Sequence, residues 1–225
     1  MTVKQKFGAI FDVDGTMVRN TPYHRQAWFE LCRRYEIEMN DRLYLEKVHA
    51  RCNDKIVANL FGNAANETLV RKIELEKETI YQDSFRPVMT EVPGLIALLK
   101  AFRENGIPCG VASNSPRMNV DFVLDALEIR PYFSTVINRD MVSVGKPNPE
   151  VLTKTATEMG MVPQDCLLFD DSSSGFAAAR NAEMPYIAIS TEPEEIPLAY
   201  DAKGIYEDFT EIDVQMLCSM MNPAL

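Results

Sequence analysis

The sequence predicts an α/β fold in which a doubly wound parallel sheet carries a block of helices inserted after its first strand. Three observations support this prediction. The apolar run FGAIF ends in a polar, glycine-containing segment at residues 12–16. About 65 residues then show helical spacing without a clear strand. From Val92 onwards, apolar runs alternate with helical stretches.

The inserted block, residues 19–87, is predicted to be a helical cap subdomain. Its helices begin at proline or at candidate capping residues, namely Pro22, Asn40 or Asp41, and Asn53 or Asp54. A long charged helix is predicted from about Ala64 to Ser84, with apolar residues at helical spacing. This run of helices suits an insertion after the first strand.

Residues 1–18 and 88–225 are predicted to form the α/β core. After the first strand, the predicted strands are PCGVAS, TVIN, CLLFD, PYIAIS and, as a candidate for the last, GIYED. Helical stretches separate them, and the first of these ends at Gly106. Because the strands alternate with helices, the sheet should be parallel and covered on both faces. Ligands of such sheets bind beyond the carboxyl ends of the strands.

Composition excludes several classes of partner and site. The formal net charge is −10 without a basic run, which disfavours nucleic acid and anionic membranes. No apolar run approaches the roughly 20 residues of a membrane-spanning helix. The five cysteines lack CxxC spacing and there are two histidines, which disfavours disulfides and zinc. Nothing resembles a signal peptide, so we expect a cytoplasmic protein. We also expect a monomer.

Four polar segments lie where predicted strands end. They are FDVDGT with Asp12 and Asp14, ASNS with Ser113 and Asn114, GKPNPE with Lys146, and FDDSSSG with Asp170 and Asp171. Taken singly, each has an ordinary explanation as a turn, a helix cap or a solvated lysine. All four, however, should meet at the edge of the sheet where ligands bind.

Together these segments suit phosphoryl transfer. Asp12 would attack phosphorus and form an aspartyl-phosphate, while Asp14 would protonate the leaving oxygen and then activate the next attacking group. Ser113 and Lys146 would hold the phosphoryl oxygens. A hard cation such as Mg²⁺ would separate the carboxylates, which repel each other when they lie so close. Its ligands would be Asp12, the backbone carbonyl of Asp14, and one or both of Asp170 and Asp171.

In this order, the four segments resemble the motifs of the haloacid dehalogenase superfamily, and the resemblance covers nearly the whole chain. It implies a Rossmann-like core, a helical cap inserted after the first strand, Mg²⁺ dependence and an aspartyl-phosphate intermediate. The residues it assigns are the nucleophile Asp12, the acid/base Asp14, the phosphate ligands Ser113, Asn114 and Lys146, and the metal motif of Asp170 and Asp171. Because Asp14 is present, a phosphatase or mutase fits better than a dehalogenase.

The segment TPYHRQAW resembles the cap entry of the β-phosphoglucomutase-like and sugar-phosphate phosphatase branch. Gly175, where many phosphatases carry Asp, fits the same branch. The cap residues expected over the substrate are His24, Arg51, Asn53 and Lys77, although each could equally be an ordinary surface residue. The run HARCND and the segment after Ser113 depart from the mutase pattern. We therefore expect a phosphatase acting on a small phosphorylated metabolite, with sugar phosphates as the expected class. The alternatives are a phosphohexomutase and a non-catalytic phosphate-binding protein.

Overall fold

A computed structural model describes residues 7–48, 51, 53–190 and 196–221. The chain divides into two compact units. The first comprises Met1–Arg19 and Thr90–Leu225, and the second comprises Asn20–Met89.

The first unit contains a parallel sheet of six strands in the order β3-β2-β1-β4-β5-β6. The strands are β1 (Gly8–Phe11), β2 (Cys109–Ala112), β3 (Phe133–Ile137), β4 (Cys166–Asp170), β5 (Tyr186–Ile189) and β6 (Gly204–Tyr206). Every pairing between neighbours is parallel. The chain moves outwards from β1 in one direction and then in the other, which is the doubly wound topology that the sequence predicts.

The helices of this unit alternate with strands β2 to β5. They are α5 (Leu95–Glu104), α6 (Arg117–Ala126), α7 (Glu150–Glu158), α8 (Ser173–Asn181) and α9 (Val214–Met221). The last of them, α9, was not expected from the sequence. The predicted α/β fold is confirmed.

The central strand β1 is buried on both faces. On one face, Phe11 stacks on Phe169 of β4 with ring centroids 4.7 Å apart, and Phe102 of α5 packs against both rings. On the other face, Ile10 and Leu168 belong to an apolar cluster that includes residues of α7 and α8. Because both faces are buried, the positions at which β1 and β4 end in the sheet are fixed, and the polar segments begin at those positions.

Among the described residues, the second unit contains the helices α1 (Thr21–Arg34), α2 (Asp41–Lys47), α3 (Asn53–Phe61) and α4 (Glu67–Phe85). The side chain of Asn40 caps α2 by accepting the N–H of Leu43, and Asn66 caps α4 in the same way. Its apolar core includes Trp28 and Ile73. Among the described residues of either unit, no helix is long and apolar enough to span a membrane.

Candidate active site

The end of β1 turns sharply and brings its aspartates to the next strand. The Asp12 N–H donates to the carbonyl of Phe169 at 2.9 Å, which ties Asp12 to the end of β4. Gly15 has φ +83°, a conformation that disfavours other residues. A Cβ at Gly15 would lie 2.0 Å from an oxygen of Asp171, so glycine also allows the close approach. Thr16 Oγ1 donates to Asp171 Oδ1 at 3.0 Å and fixes the second carboxylate of the FDDSSSG segment.

Lys146 joins three of the four segments at one point. Its Nζ donates to Asp12 Oδ1 and to Asp170 Oδ2, both at 2.7 Å. The lysine and both carboxylates are buried. The ammonium therefore faces the proposed nucleophile and one residue of the metal motif at the same time.

Asp170 is held in one orientation by the start of α8. Its Oδ1 accepts from the Ser172 N–H at 2.9 Å and from Ser172 Oγ at 2.8 Å, which leaves Oδ2 toward Lys146. The Ser172 hydroxyl also accepts from the Gly175 N–H and caps the helix. A Cβ at Gly175 would lie 2.0 Å from the Asp170 carboxylate. Glycine at 175 is therefore needed for Asp170 to occupy this position.

The segment after β2 supplies two serines to the site. Ser113 is buried, and its hydroxyl oxygen accepts the Ser115 N–H at 3.1 Å, so its own proton can be donated to a phosphoryl oxygen. Ser115 Oγ donates to Asp14 Oδ2. The sequence reasoning identified Ser113 and Asp14 but missed Ser115, although it shares the ASNS segment with Ser113.

Asn114 was predicted as a phosphate ligand, and its side chain is engaged elsewhere. The amide accepts from the Lys146 N–H at 2.7 Å and donates to the Lys146 carbonyl at 3.1 Å. A contact between Asn114 and a phosphate would therefore have to come from its main-chain N–H.

The site carries more negative charge than its single lysine can balance. Burial raises the pKa of Asp12 to about 7, with Lys146 opposing that rise and the neighbouring aspartates adding to it. Burial also raises the pKa of Asp171 well above its usual range, and Asp170 and Asp12 raise it further. Burial alone would lower the pKa of Lys146, but the two carboxylates outweigh this effect and raise it.

Ligand atoms from Asp12, Asp170 and Asp171 lie within 4.8 Å of one another. Three carboxylates, two of them with raised pKa values, fit a divalent cation with a preference for oxygen, because such a cation would remove the repulsion among them. The residues present therefore fit Mg²⁺. The backbone carbonyl of Asp14 stays a predicted fourth ligand.

In the second unit, His24 and Lys77 lie together in a buried polar cluster. Lys77 is 4 % exposed, and its Nζ lies 2.7 Å from His24 Nδ1 and 3.0 Å from both carboxylate oxygens of Glu78. The His24 ring stacks on Tyr81 with centroids 3.8 Å apart. Glu78, the counter-ion that the sequence reasoning missed, is 1 % exposed. Lys77 is therefore part of the interior of its own unit.

The other two predicted cap residues have separate partners. Arg51 is exposed and donates to the Leu45 carbonyl at 3.3 Å. Asn53 Nδ2 donates to Glu74 Oε1 at 2.6 Å. Roles for these residues in substrate recognition stay predictions.

Comparison with known proteins identifies a family. The sequence profile of the haloacid dehalogenase-like hydrolases matches residues 9–189. A validoxylamine A 7'-phosphate phosphatase of Streptomyces hygroscopicus subsp. limoneus is 27 % identical over 91 % of this chain and 94 % of its own. A fructose-1-phosphate phosphatase of Escherichia coli K12 is 27 % identical over 81 % of this chain and 95 % of its own. The crystal structure of a β-phosphoglucomutase from Clostridium difficile superposes with a TM-score of 0.81 at 24 % identity, covering 96 % of this chain and 97 % of that one.

Proposed function

The chain belongs to the haloacid dehalogenase-like hydrolases, and we propose that it is a Mg²⁺-dependent phosphatase of a small phosphorylated metabolite, with sugar phosphates as the substrate class. One observation carries the proposal: the Lys146 ammonium lies 2.7 Å from both Asp12 and Asp170, with Asp171 alongside. A nucleophilic carboxylate, a fixed cation and a set of metal ligands are the parts that phosphoryl transfer needs. Two curated relatives that cover most of the chain are phosphatases, one of them acting on a sugar phosphate.

The reaction would proceed in two displacements. An oxygen of Asp12 attacks phosphorus, the bond to the leaving oxygen breaks, and Asp14 gives that oxygen a proton. Asp14 then takes a proton from water, whose oxygen attacks the aspartyl-phosphate and releases inorganic phosphate and free Asp12. Asp14 loses its proton in the first displacement and regains one from water in the second, so one residue serves as acid and then as base.

Lys146 and Ser113 would stabilise charge on the transferred group. The Lys146 ammonium is fixed beside the nucleophile and is held protonated, so it can stay close to the phosphoryl oxygens as they approach Asp12. The Ser113 hydroxyl can donate to another of these oxygens. Bound Mg²⁺, held by Asp12, Asp170 and Asp171, would supply positive charge to offset the phosphate and the carboxylates.

Choice among substrates should depend on groups other than these motifs. The motifs recognise the phosphoryl group, which every substrate shares, so discrimination needs polar partners for the leaving group. His24, Arg51, Asn53 and Lys77 stay the candidates in the second unit. The burial of Lys77 makes Arg51 the more accessible of the two cations.

A phosphohexomutase is the second candidate, because the chain resembles a β-phosphoglucomutase in fold. The departures from the mutase pattern after Ser113 favour the phosphatase. The two activities differ in product, since a mutase returns an isomeric sugar phosphate whereas a phosphatase releases inorganic phosphate.

The test is a panel of sugar phosphates and p-nitrophenyl phosphate, assayed with Mg²⁺ and after exhaustive chelation. We expect Mg²⁺-dependent release of inorganic phosphate, abolished by EDTA and restored by Mg²⁺. An isomeric sugar phosphate without phosphate release would support the mutase. Full activity after chelation would contradict the metal site, and no turnover of any phosphomonoester would contradict the phosphatase.

A further inference from the structure

Asn114 forms two hydrogen bonds to the main chain of the residue that carries the site's cation. Its Oδ1 accepts from the Lys146 N–H at 2.7 Å, and its Nδ2 donates to the Lys146 carbonyl at 3.1 Å. Both polar main-chain groups of Lys146 are thus satisfied by one side chain that is 32 residues away in the sequence. A side-chain amide that pairs with both groups fixes the position and the orientation of that peptide segment.

The surrounding residues leave little space for another arrangement. A Cβ at Gly145 would lie 2.6 Å from Asn114 Oδ1, so glycine at 145 permits the amide to approach. On the other side, Asn181 donates to the carbonyl of Pro147 at 2.9 Å. The loop that carries Lys146 is therefore anchored to the end of β2 by Asn114 and to α8 by Asn181.

Lys146 can act only if its ammonium stays in place. Its Nζ contacts Asp12 and Asp170 at 2.7 Å each, and such charge-assisted hydrogen bonds require a fixed main chain behind a long side chain. We propose that Asn114 is a positioning residue, which fixes the main chain of Lys146 and thereby aims its ammonium at Asp12 and the transferred phosphoryl group. This proposal rests on the proposed phosphatase function.

The role predicts a particular kinetic pattern. Lys146 touches Asp12 and would touch the phosphoryl group, so a displaced ammonium should slow the reaction of every phosphomonoester by the same factor. For Asn114→Ala we expect kcat to fall about 10- to 100-fold, because misplacement of a catalytic group by roughly 1 Å costs about that much. The loss should be equal for p-nitrophenyl phosphate and for the best sugar phosphate.

Asn138→Ala provides a matched control. Asn138 also lies at the end of a strand, β3, and its side chain accepts the N–H of Asp140 at 3.0 Å. This substitution removes a comparable part-buried hydrogen bond between a side chain and the main chain without touching Lys146. It should lower the melting temperature much as Asn114→Ala does and retain the wild-type kcat of folded protein.

A double-mutant cycle separates positioning from general damage. If Asn114 acts through Lys146, then adding Asn114→Ala to Lys146→Met should lower kcat no further, whereas independent effects would multiply. A second readout needs no turnover. The buried Lys146 ammonium should give a ¹⁵N–¹H NMR signal, assigned by its loss in Lys146→Met, and Asn114→Ala should shift or broaden that signal while Asn138→Ala leaves it unchanged.

Three results would overturn the proposal. They are a wild-type kcat in folded Asn114→Ala, a further fall in kcat when Asn114→Ala is added to Lys146→Met that equals its effect in the wild type, or a Lys146 ammonium signal that Asn114→Ala leaves unchanged. If Asn114→Ala does not fold, Asn114→Asp keeps the shape and the acceptor but loses the donor to the Lys146 carbonyl, and it should still lower kcat several-fold. An Asn114→Asp variant as active as wild type would likewise overturn it. A wild-type protein without phosphatase activity would instead contradict the proposed function, and the NMR comparison would then decide the role of Asn114 alone.

Discussion

The metal-free protein should lose stability as the pH rises from about 5.5 to 8, because it buries carboxyl groups that are easier to protonate when folded. Burial raises the pKa of Asp12 from 3.8 to about 7, and Asp171 shifts in the same direction. A group whose pKa is higher in the folded state binds its proton more tightly there. The stabilisation that such a group gives the folded protein is therefore complete below its pKa in the unfolded chain. It is lost as the pH rises through its pKa in the folded protein.

The size of this effect follows from the shift. About three pKa units at 1.36 kcal/mol each give about 4 kcal/mol over the whole titration of Asp12. Roughly half of this, about 2 kcal/mol, should be lost between pH 5.5 and 8. Acids whose pKa is lowered in the folded state, such as Glu30, are ionised throughout this window and do not contribute.

The assay is urea unfolding at a series of pH values, in chelator and in saturating Mg²⁺. Because Mg²⁺ would bind the carboxylates in their deprotonated form, it should stabilise the protein more at pH 8 than at pH 5.5 and reduce or reverse the loss. Asp12→Asn should weaken the pH dependence in chelator. Asp208→Asn removes a carboxyl group whose pKa is lowered, and it should leave the dependence unchanged. Metal-free stability that stays level or rises across this range would refute the reasoning.

Three further predictions concern single residues. Asp12→Asn should abolish turnover and leave a folded protein, because the amide keeps the shape but lacks the charge that attacks phosphorus; turnover near wild type would remove Asp12 as nucleophile. Lys77→Ala should lower the free energy of unfolding in urea by about 3–5 kcal/mol because it breaks the buried ion pair with Glu78, and adding Glu78→Gln should restore most of that stability. Unchanged stability of Lys77→Ala would contradict the ion pair. Arg51→Ala should raise KM for the best sugar phosphate but not for p-nitrophenyl phosphate, and no change for either would mean that Arg51 is an ordinary surface residue.

The core of the fold was predictable because its signals are local. Apolar runs of strand length, followed by polar segments and helical stretches, place the strand ends without knowledge of any long-range contact. The parallel topology then requires those ends to share one edge, so Asp12, Lys146 and Asp170 could be placed at one edge of the sheet from the order of elements alone. The structure supplies the contacts between them.

The burial of Lys77 was not predictable in the same way. In the sequence it lies in a charged stretch of α4, ELEKET, that is typical of a solvated helix face. Its environment comes from α1, which places His24 beside its ammonium and the Trp28 ring 5.6 Å away. Periodicity describes one helix at a time, so it cannot show that a lysine and the adjacent Glu78 are enclosed together by another helix.

Sequence patterns also could not explain why glycine stands at position 175 in the metal motif, and the structure gives the reason. By its resemblance to the family, the sequence has Gly175 where many phosphatases carry Asp, a departure that fits the β-phosphoglucomutase-like branch. Here the Asp170 carboxylate, fixed by Ser172 and Lys146, occupies the space that a side chain at 175 would enter. A carboxylate at 170 in this orientation and a side chain at 175 therefore exclude each other. Asp12, Asp170 and Asp171 therefore stay the candidate metal ligands, and an acid introduced at 175 should displace Asp170 from its contact with Lys146.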